Sequence, residues 1–352
     1  MLSLFALLAV ALTYPLITQL ATHVPGSDTW AYDEYTFLWN IWTFKHALID
    51  GLRSPLTTDL IFFPVGMGLV MYTFNLVAAA VALPIHLATN NIPLSYNLVN
   101  LLSSVLGGYG TFLLVRYLLR RQPGHSRQQS FIVSASAVLA GLVYAFASSR
   151  SIYLALGHTM IVTTQWVPFF ALYFVRLLDR WRTHDALLAG LFLALALLTD
   201  MLYGVLLGLI AAVLLVDWWL RDGKARRAAA AARPRTTGWQ RLGKLALMAT
   251  LAALLSAPLL IPTLREGLSA DYAVEGWGHA EKLSADLVGL VTPTDLHPVW
   301  GSNAGTGGQG WIDALRAVET GDSRFRDINT VFVGCPEIPV ARIEVEFERV
   351  SC

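Results

Sequence analysis

Apolar residues run along this chain in blocks long enough to cross a bilayer, separated by polar stretches that differ in the sign of their charge. A helix needs roughly 20 consecutive apolar residues to span ~30 Å of hydrocarbon, because every backbone N–H and C=O must be bonded within the segment. Eight blocks meet or approach that length: 1–20, 69–88, 96–118, 131–147, 160–177, 186–198, 201–220 and 245–264. The pattern predicts an all-α fold, a polytopic transmembrane bundle of about seven spanning helices with juxtamembrane helices in its first outer loop. Block 1–20 has neither a basic n-region nor an A-x-A cleavage site, so it reads as a first membrane helix with an upstream piece missing rather than a cleaved leader.

The polar stretches set the orientation, since Lys and Arg collect on the cytoplasmic side. Arg116, Arg120, Arg121 and Arg127 bracket one loop, Arg176, Arg180 and Arg182 a second, and eight basic residues fill 221–244. Together these hold fifteen of the twenty-five Lys and Arg residues. Segments 21–68 and 265–334 instead carry fifteen acidic residues against seven basic ones and belong outside. Both assignments hold only if one block does not cross. Block 69–88, with Asn75, Pro84 and His86, is the expected re-entrant or interfacial one; the alternative is that it spans and the N-terminus lies outside. Between Asp33 and Ile49, the residues Tyr35, Leu38, Trp39, Trp42, His46 and Ile49 recur at helical spacing and predict an interfacial helix.

The chain thus divides into a transmembrane module at 1–264, with an outer loop at 21–68 and a low-complexity cytoplasmic linker at 221–244, and an extracytoplasmic segment at 265–334. A tail at 335–352 turns abruptly polar, as a frameshift or truncation would leave it. With 55% hydrophobic and only 14% charged residues, lipid must be much of the solvent. The net charge of +1 gives no basic patch for nucleic acid, and the two cysteines, Cys335 and Cys352, form neither a disulfide framework nor a zinc motif.

Candidate chemistry gathers on the outer side. Asp28, Asp33 and Glu34 fall within seven residues, an arrangement able to accept a hydroxyl proton or hold a divalent cation through Asp28 and Asp33. Asp28 as a turn residue, and Asp33 or Glu34 as helix-start charges, are the plainer alternatives. Arg150 and His158 sit in the short loop 148–158. An Arg there suits a lipid phosphate and a His suits proton traffic, against a snorkelling Arg and a capping His. Asp200 is either a membrane-buried carboxylate, costing on the order of 3 kcal/mol at the bilayer centre, or a residue of a tight outer turn. His297 lies in the last outer segment beside the Gly-rich stretch 301–310, which lacks the Gly-Lys-Ser/Thr ending of a phosphate loop.

This arrangement resembles the membrane glycosyltransferases of the GT-C class, which use polyprenyl-phosphate sugars as donors. The resemblance rests on the acidic first outer loop with Asp28, Asp33 and Glu34, the short loop with Arg150 and His158, the segment Phe62-Phe63-Pro64-Val65-Gly66, and the spacing of Asp33, Trp39 and Trp42. It implies an embedded juxtamembrane helix, a location in the bacterial cytoplasmic membrane, and Asp33, then Asp28, as general base or ligand of Mg or Mn. It implies Arg150, His158, His297 and Asp200 as candidate substrate-binding residues, and the lipid bilayer and a polyprenyl-phosphate-linked sugar as partners. Family members continue with further helices or a soluble outer domain, which this chain lacks, so the resemblance also allows an inactive fragment. Two other readings stand beside it. A transporter or flippase would need polar residues at mid-membrane depth and broken helices; a non-catalytic assembly subunit would bind the lipid-linked sugar without turnover.

Overall fold

Where the chain is apolar over a long stretch it is helical, and where a helix stops a specific residue stops it. The computed structural model describes residues 1–26, 33–120, 127–228, 237–269, 292 and 348–349. Asp28, His297 and nearly all of segments 265–334 and 335–352 lie outside the described residues. In order the elements are α1 (Leu2–Leu12), β1 (His23–Val24), α2 (Asp33–Lys45) with a π-helical turn His46–Asp50, and a hairpin of β2 (Thr57–Thr58) and β3 (Met67–Gly68). There follow α3 (Leu76–Thr89), α4 (Ile92–Leu119), α5 (Arg127–Ala145), α6 (Ser148–Ala155), α7 (Thr159–Val162) and α8 (Trp166–Arg180). The last are α9 (Thr183–Thr199), α10 (Met201–Ala228), α11 (Gly238–Ser269) and β4 (Glu348–Arg349), which pairs with β1.

The chain is a polytopic helical membrane protein: among the described residues five helical stretches are long and apolar enough to cross a bilayer. They are Ile92–Leu119, Gln128–Ala155, Thr159–Arg180, Met201–Leu220 and Gly238–Leu268. Helices α1, α3 and α9 are shorter. Block 1–20 is not one helix: α1 stops at Leu12 because Pro15 has no N–H and its ring collides with the carbonyl four residues back. Block 69–88 becomes helical only at Leu76, where Asn75 caps the helix by accepting from Ala78 N at 2.9 Å. Its fourteen residues reach about 21 Å at 1.5 Å per residue, short of the hydrocarbon thickness. Asn90 closes α3 in the left-handed conformation, and Asn91 opens α4 by accepting from Leu94 N at 2.7 Å.

Three further expectations are corrected. Loop 148–158 is largely the helix α6. Block 160–177 is not continuous, because α7 and α8 are separated at residues 163–165. The predicted linker 221–244 is helical through Ala228 and again from Gly238; residues 229–236 lie outside the described residues.

The packing separates the bundle into two ends. At the basic end Tyr117 of α4 donates to Asp179 of α8 at 2.7 Å, Lys244 of α11 bonds Thr183 of α9, and Arg241 stands over the rings of Trp181 and Trp218. Asp185, fully buried there, pairs with Arg176 at 3.0 Å and His184 at 3.1 Å. At the acidic end Leu56, Leu69, Val70 and Phe74 of the first loop pack on Leu259 of α11, beside Leu198 and Met201 of the α9–α10 turn. Helix α9 therefore runs the depth of the bundle in only seventeen residues. Its small residues Ala186, Ala189 and Gly190 let it pack closely on α11: a Cβ on Gly190 would come within 2.7 Å of the Met248 carbonyl.

Candidate functional site

At the acidic end, α2 begins against the turn that joins α6 to α7. Gly157, at φ +75°, lets them meet: a Cβ there would stand 2.6 Å from Glu34 Cβ and 3.0 Å from the Glu34 Cα and N. Only glycine takes that backbone angle without penalty and leaves room for another main chain. The Gly157 carbonyl accepts from Tyr96 of α4 at 2.8 Å, so the turn is fixed from both sides.

This contact places two neighbouring carboxylates in opposite environments. Glu34 is 1% exposed and enclosed between Gly26 and Gly157, whereas the Asp33 side chain is 55% exposed. Asp33 Oδ2 lies 2.6 Å from His158 Nε2, and the edge of the Tyr153 ring meets the imidazole with centroids 5.4 Å apart. An exposed carboxylate held by a histidine across a tight turn is an arrangement that can take a proton from a hydroxyl and keep its geometry while doing so.

Burial holds His158 below the ordinary histidine range, outweighing the opposing pull of the Asp33 charge and hydrogen bond. The unfolded chain takes up this proton at the ordinary pKa of 6.5. As pH falls through that value the unfolded state binds more protons, so His158 subtracts from stability on the acid side and subtracts nothing above it. Melting curves at about pH 5 and about pH 7.5 should therefore differ less in His158→Gln than in the parent protein.

Below the pair lies a buried polar seam. Asn97, Asn100, Ser103 and Ser104 lie along one side of α4, and Asn100 donates to Thr159 at 3.4 Å, Ser103 to the Val162 carbonyl at 3.0 Å. From α3, Asn75 donates to Thr163 at 2.9 Å. From α5, Tyr144 donates to the Thr164 carbonyl at 2.8 Å. At the α7–α8 break the Val162 and Thr164 carbonyls thus take bonds from neighbouring helices in addition to those from Thr164 N and Val167 N. Gln165 adds its amide nitrogen to Ser103 Oγ at 2.5 Å and to the Thr163 carbonyl at 3.0 Å. A cavity of about one water's size opens between Asn40, Asn75, Tyr96 and Thr159.

Arg150 closes the seam from α6. It is buried, donating through Nη1 to Thr164 Oγ1 at 2.8 Å and through Nη2 to Ser103 Oγ at 2.9 Å, while Nε has no partner. Its guanidinium ties α6 to α4 and to the break between α7 and α8. Lysine cannot span both hydroxyls, so Arg150→Lys should lower the unfolding free energy in detergent by about 1.5–3 kcal/mol, the range for hydrogen bonds to a charged group.

Of the sequence candidates, Asp33 and His158 come together, Glu34 packs beneath them, and Arg150 binds the seam instead. Asp200 is the turn residue: its Oδ1 accepts from Leu202 N at 2.8 Å at the start of α10. Asp28 and His297 lie outside the described residues. Among the described residues no three His, Cys, Asp or Glu side chains converge as a metal-binding group; of the expected pair of ligands for Mg or Mn, Asp33 is described and Asp28 is not. The seam itself was missed, although Thr163-Thr164-Gln165 with Pro168 in an apolar block is the signal that marks it. No family model, curated protein or solved structure matches this chain.

Proposed function

We propose that the chain is a GT-C-like membrane glycosyltransferase that moves a sugar from a polyprenyl-phosphate donor to an acceptor hydroxyl at the acidic, extracytoplasmic end of the bundle. The observation that carries this reading is the Asp33–His158 pair, exposed on the carboxylate side and seated beside the Gly157 turn on the other. Asp33 accepts the acceptor's proton as the hydroxyl oxygen attacks the anomeric carbon. The bond from that carbon to the phosphate oxygen breaks, polyprenyl phosphate leaves with the electron pair, and the configuration inverts. His158 donates to Asp33 and fixes the direction of its other oxygen. Arg150, buried without a carboxylate partner among the described residues, supplies positive potential from the wall rather than a direct contact. The test is release of polyprenyl phosphate from a polyprenyl-phosphate hexose by the protein in nanodiscs; no release across a panel of donor sugars and hydroxyl acceptors would overturn the reading.

A second reading, a transporter or flippase, is favoured by the seam. A broken helix lined by Asn75, Asn100, Ser103, Arg150 and Thr163 is the feature such a protein uses to pass a polar group through lipid. Movement of a fluorescent polyprenyl-phosphate lipid between leaflets of proteoliposomes, without sugar release, would select it.

A further inference from the structure

The hairpin between α2 and α3 exposes an apolar tip that its surroundings do not cover. Strands β2 and β3 pair Thr57 with Gly68 and Thr58 with Met67. Beyond them Phe62 is 71% exposed, Phe63 81% and Val65 89%, with Leu60 also exposed. Water-facing turns are ordinarily polar, and a contiguous apolar tip marks a surface that meets something apolar. The tip is built, not frayed. Gly66, at φ +73°, packs so closely on the Thr58 carbonyl that a Cβ would come within 2.6 Å, and Phe62 itself is held at φ +56°. A bulky residue keeps that angle only where its surroundings over-determine it.

The neighbours say what the tip meets. The hairpin base is rooted on the last turns of α11: Leu56 and Leu69 pack with Leu259, Gly68 approaches the Glu266 carboxylate, and Gly267 approaches Met71. On that same helix Ile261, Leu264 and Leu268 are exposed, as is Met71, so the lipid-facing surface of a spanning helix continues onto the hairpin. At the base, Arg53 pairs with Asp59 at 3.3 Å, and at the end of α2, before the hairpin, Lys45 pairs with Asp50 at 3.0 Å. Ion pairs below and apolar side chains beyond match the polarity step at a bilayer surface. Within the tip, Val65 N and Gly66 N both bond the Phe62 carbonyl, at 2.9 and 3.1 Å, and Leu60 N bonds Thr58 Oγ1 at 3.2 Å, which fixes the turn that presents these side chains.

We infer that Phe62, Phe63 and Val65 insert into the lipid leaflet at the acidic end of the bundle, anchoring the hairpin beside α11. The occupant is the bilayer, and the inference does not depend on which function is correct. The test is spin-label accessibility in nanodiscs, with Cys335→Ser and Cys352→Ser as background and single labels at Phe63→Cys, Val65→Cys and, as the collar control, Asp59→Cys. Insertion predicts that the ratio of oxygen to nickel-complex collisions is higher at positions 63 and 65 than at 59. Nickel collisions as frequent at 63 and 65 as at 59 would mean a water-facing tip and overturn the inference. Loss of both kinds of collision would mean cover by protein and overturn it equally. Should one substitution fail to fold, the other reads the same loop.

Discussion

Asp33→Asn is expected to lower sugar transfer by about 10²–10⁴-fold, the usual contribution of a positioned general base. The amide preserves the size of the side chain and can still accept from His158, so α2 should keep its seat on Gly157; what disappears is a group able to take the hydroxyl proton. The loss should therefore fall on the rate of transfer at saturating donor, with donor affinity nearly unchanged. Steady-state rates with a polyprenyl-phosphate hexose in nanodiscs check this. Rates within a factor of a few of the parent would remove Asp33 from the chemistry while leaving the fold untouched.

The second large effect is on the fold. Gly157→Ala sets a methyl group against the main chain of Glu34, at 2.6 Å from its Cβ, in a conformation with φ +75°. The left-handed angle costs about 1–2 kcal/mol for a residue with a Cβ, and forcing packed backbones apart typically adds about 1–3 kcal/mol. The variant should lose about 2–5 kcal/mol of stability, or relieve the clash by moving α2 away and separating Asp33 from His158. Thermal unfolding reads the first outcome and transfer activity the second. A variant with parental melting temperature and activity would show that the close approach is not required. Asn at the same position, which tolerates positive φ better but still carries a Cβ, separates the two causes.

How much of this was legible in the sequence depends on the distance over which each feature is decided. Helices α4, α10 and α11 follow from length and apolarity alone, because in lipid each backbone must satisfy itself within its own segment. The break at 163–165 is decided elsewhere: its carbonyls are met by Ser103 and Tyr144, which apolar periodicity in one block cannot anticipate. Arg150 shows the same limit. As an isolated cation near a helix end it reads as a surface residue, and only its acceptors, Ser103 on α4 and Thr164 past α7, bury it. For Asp33 and His158, sidedness put them in one compartment, but their pairing depends on Gly157, whose single missing atom is visible only once α2 is laid against it. Asp200 was open between a buried carboxylate and a turn; its bond to the Leu202 N–H makes it the turn.

The interruption between α7 and α8 also bears on how the chain enters the membrane. Alone, stretch 159–180 would carry the polar run Thr163-Thr164-Gln165 into hydrocarbon, with its Val162 and Thr164 carbonyls bonded only locally, by Thr164 N and Val167 N. The groups that cover them sit on α4 and α5, upstream in the chain. Synthesis from the N-terminus therefore delivers these polar partners before the segment that uses them.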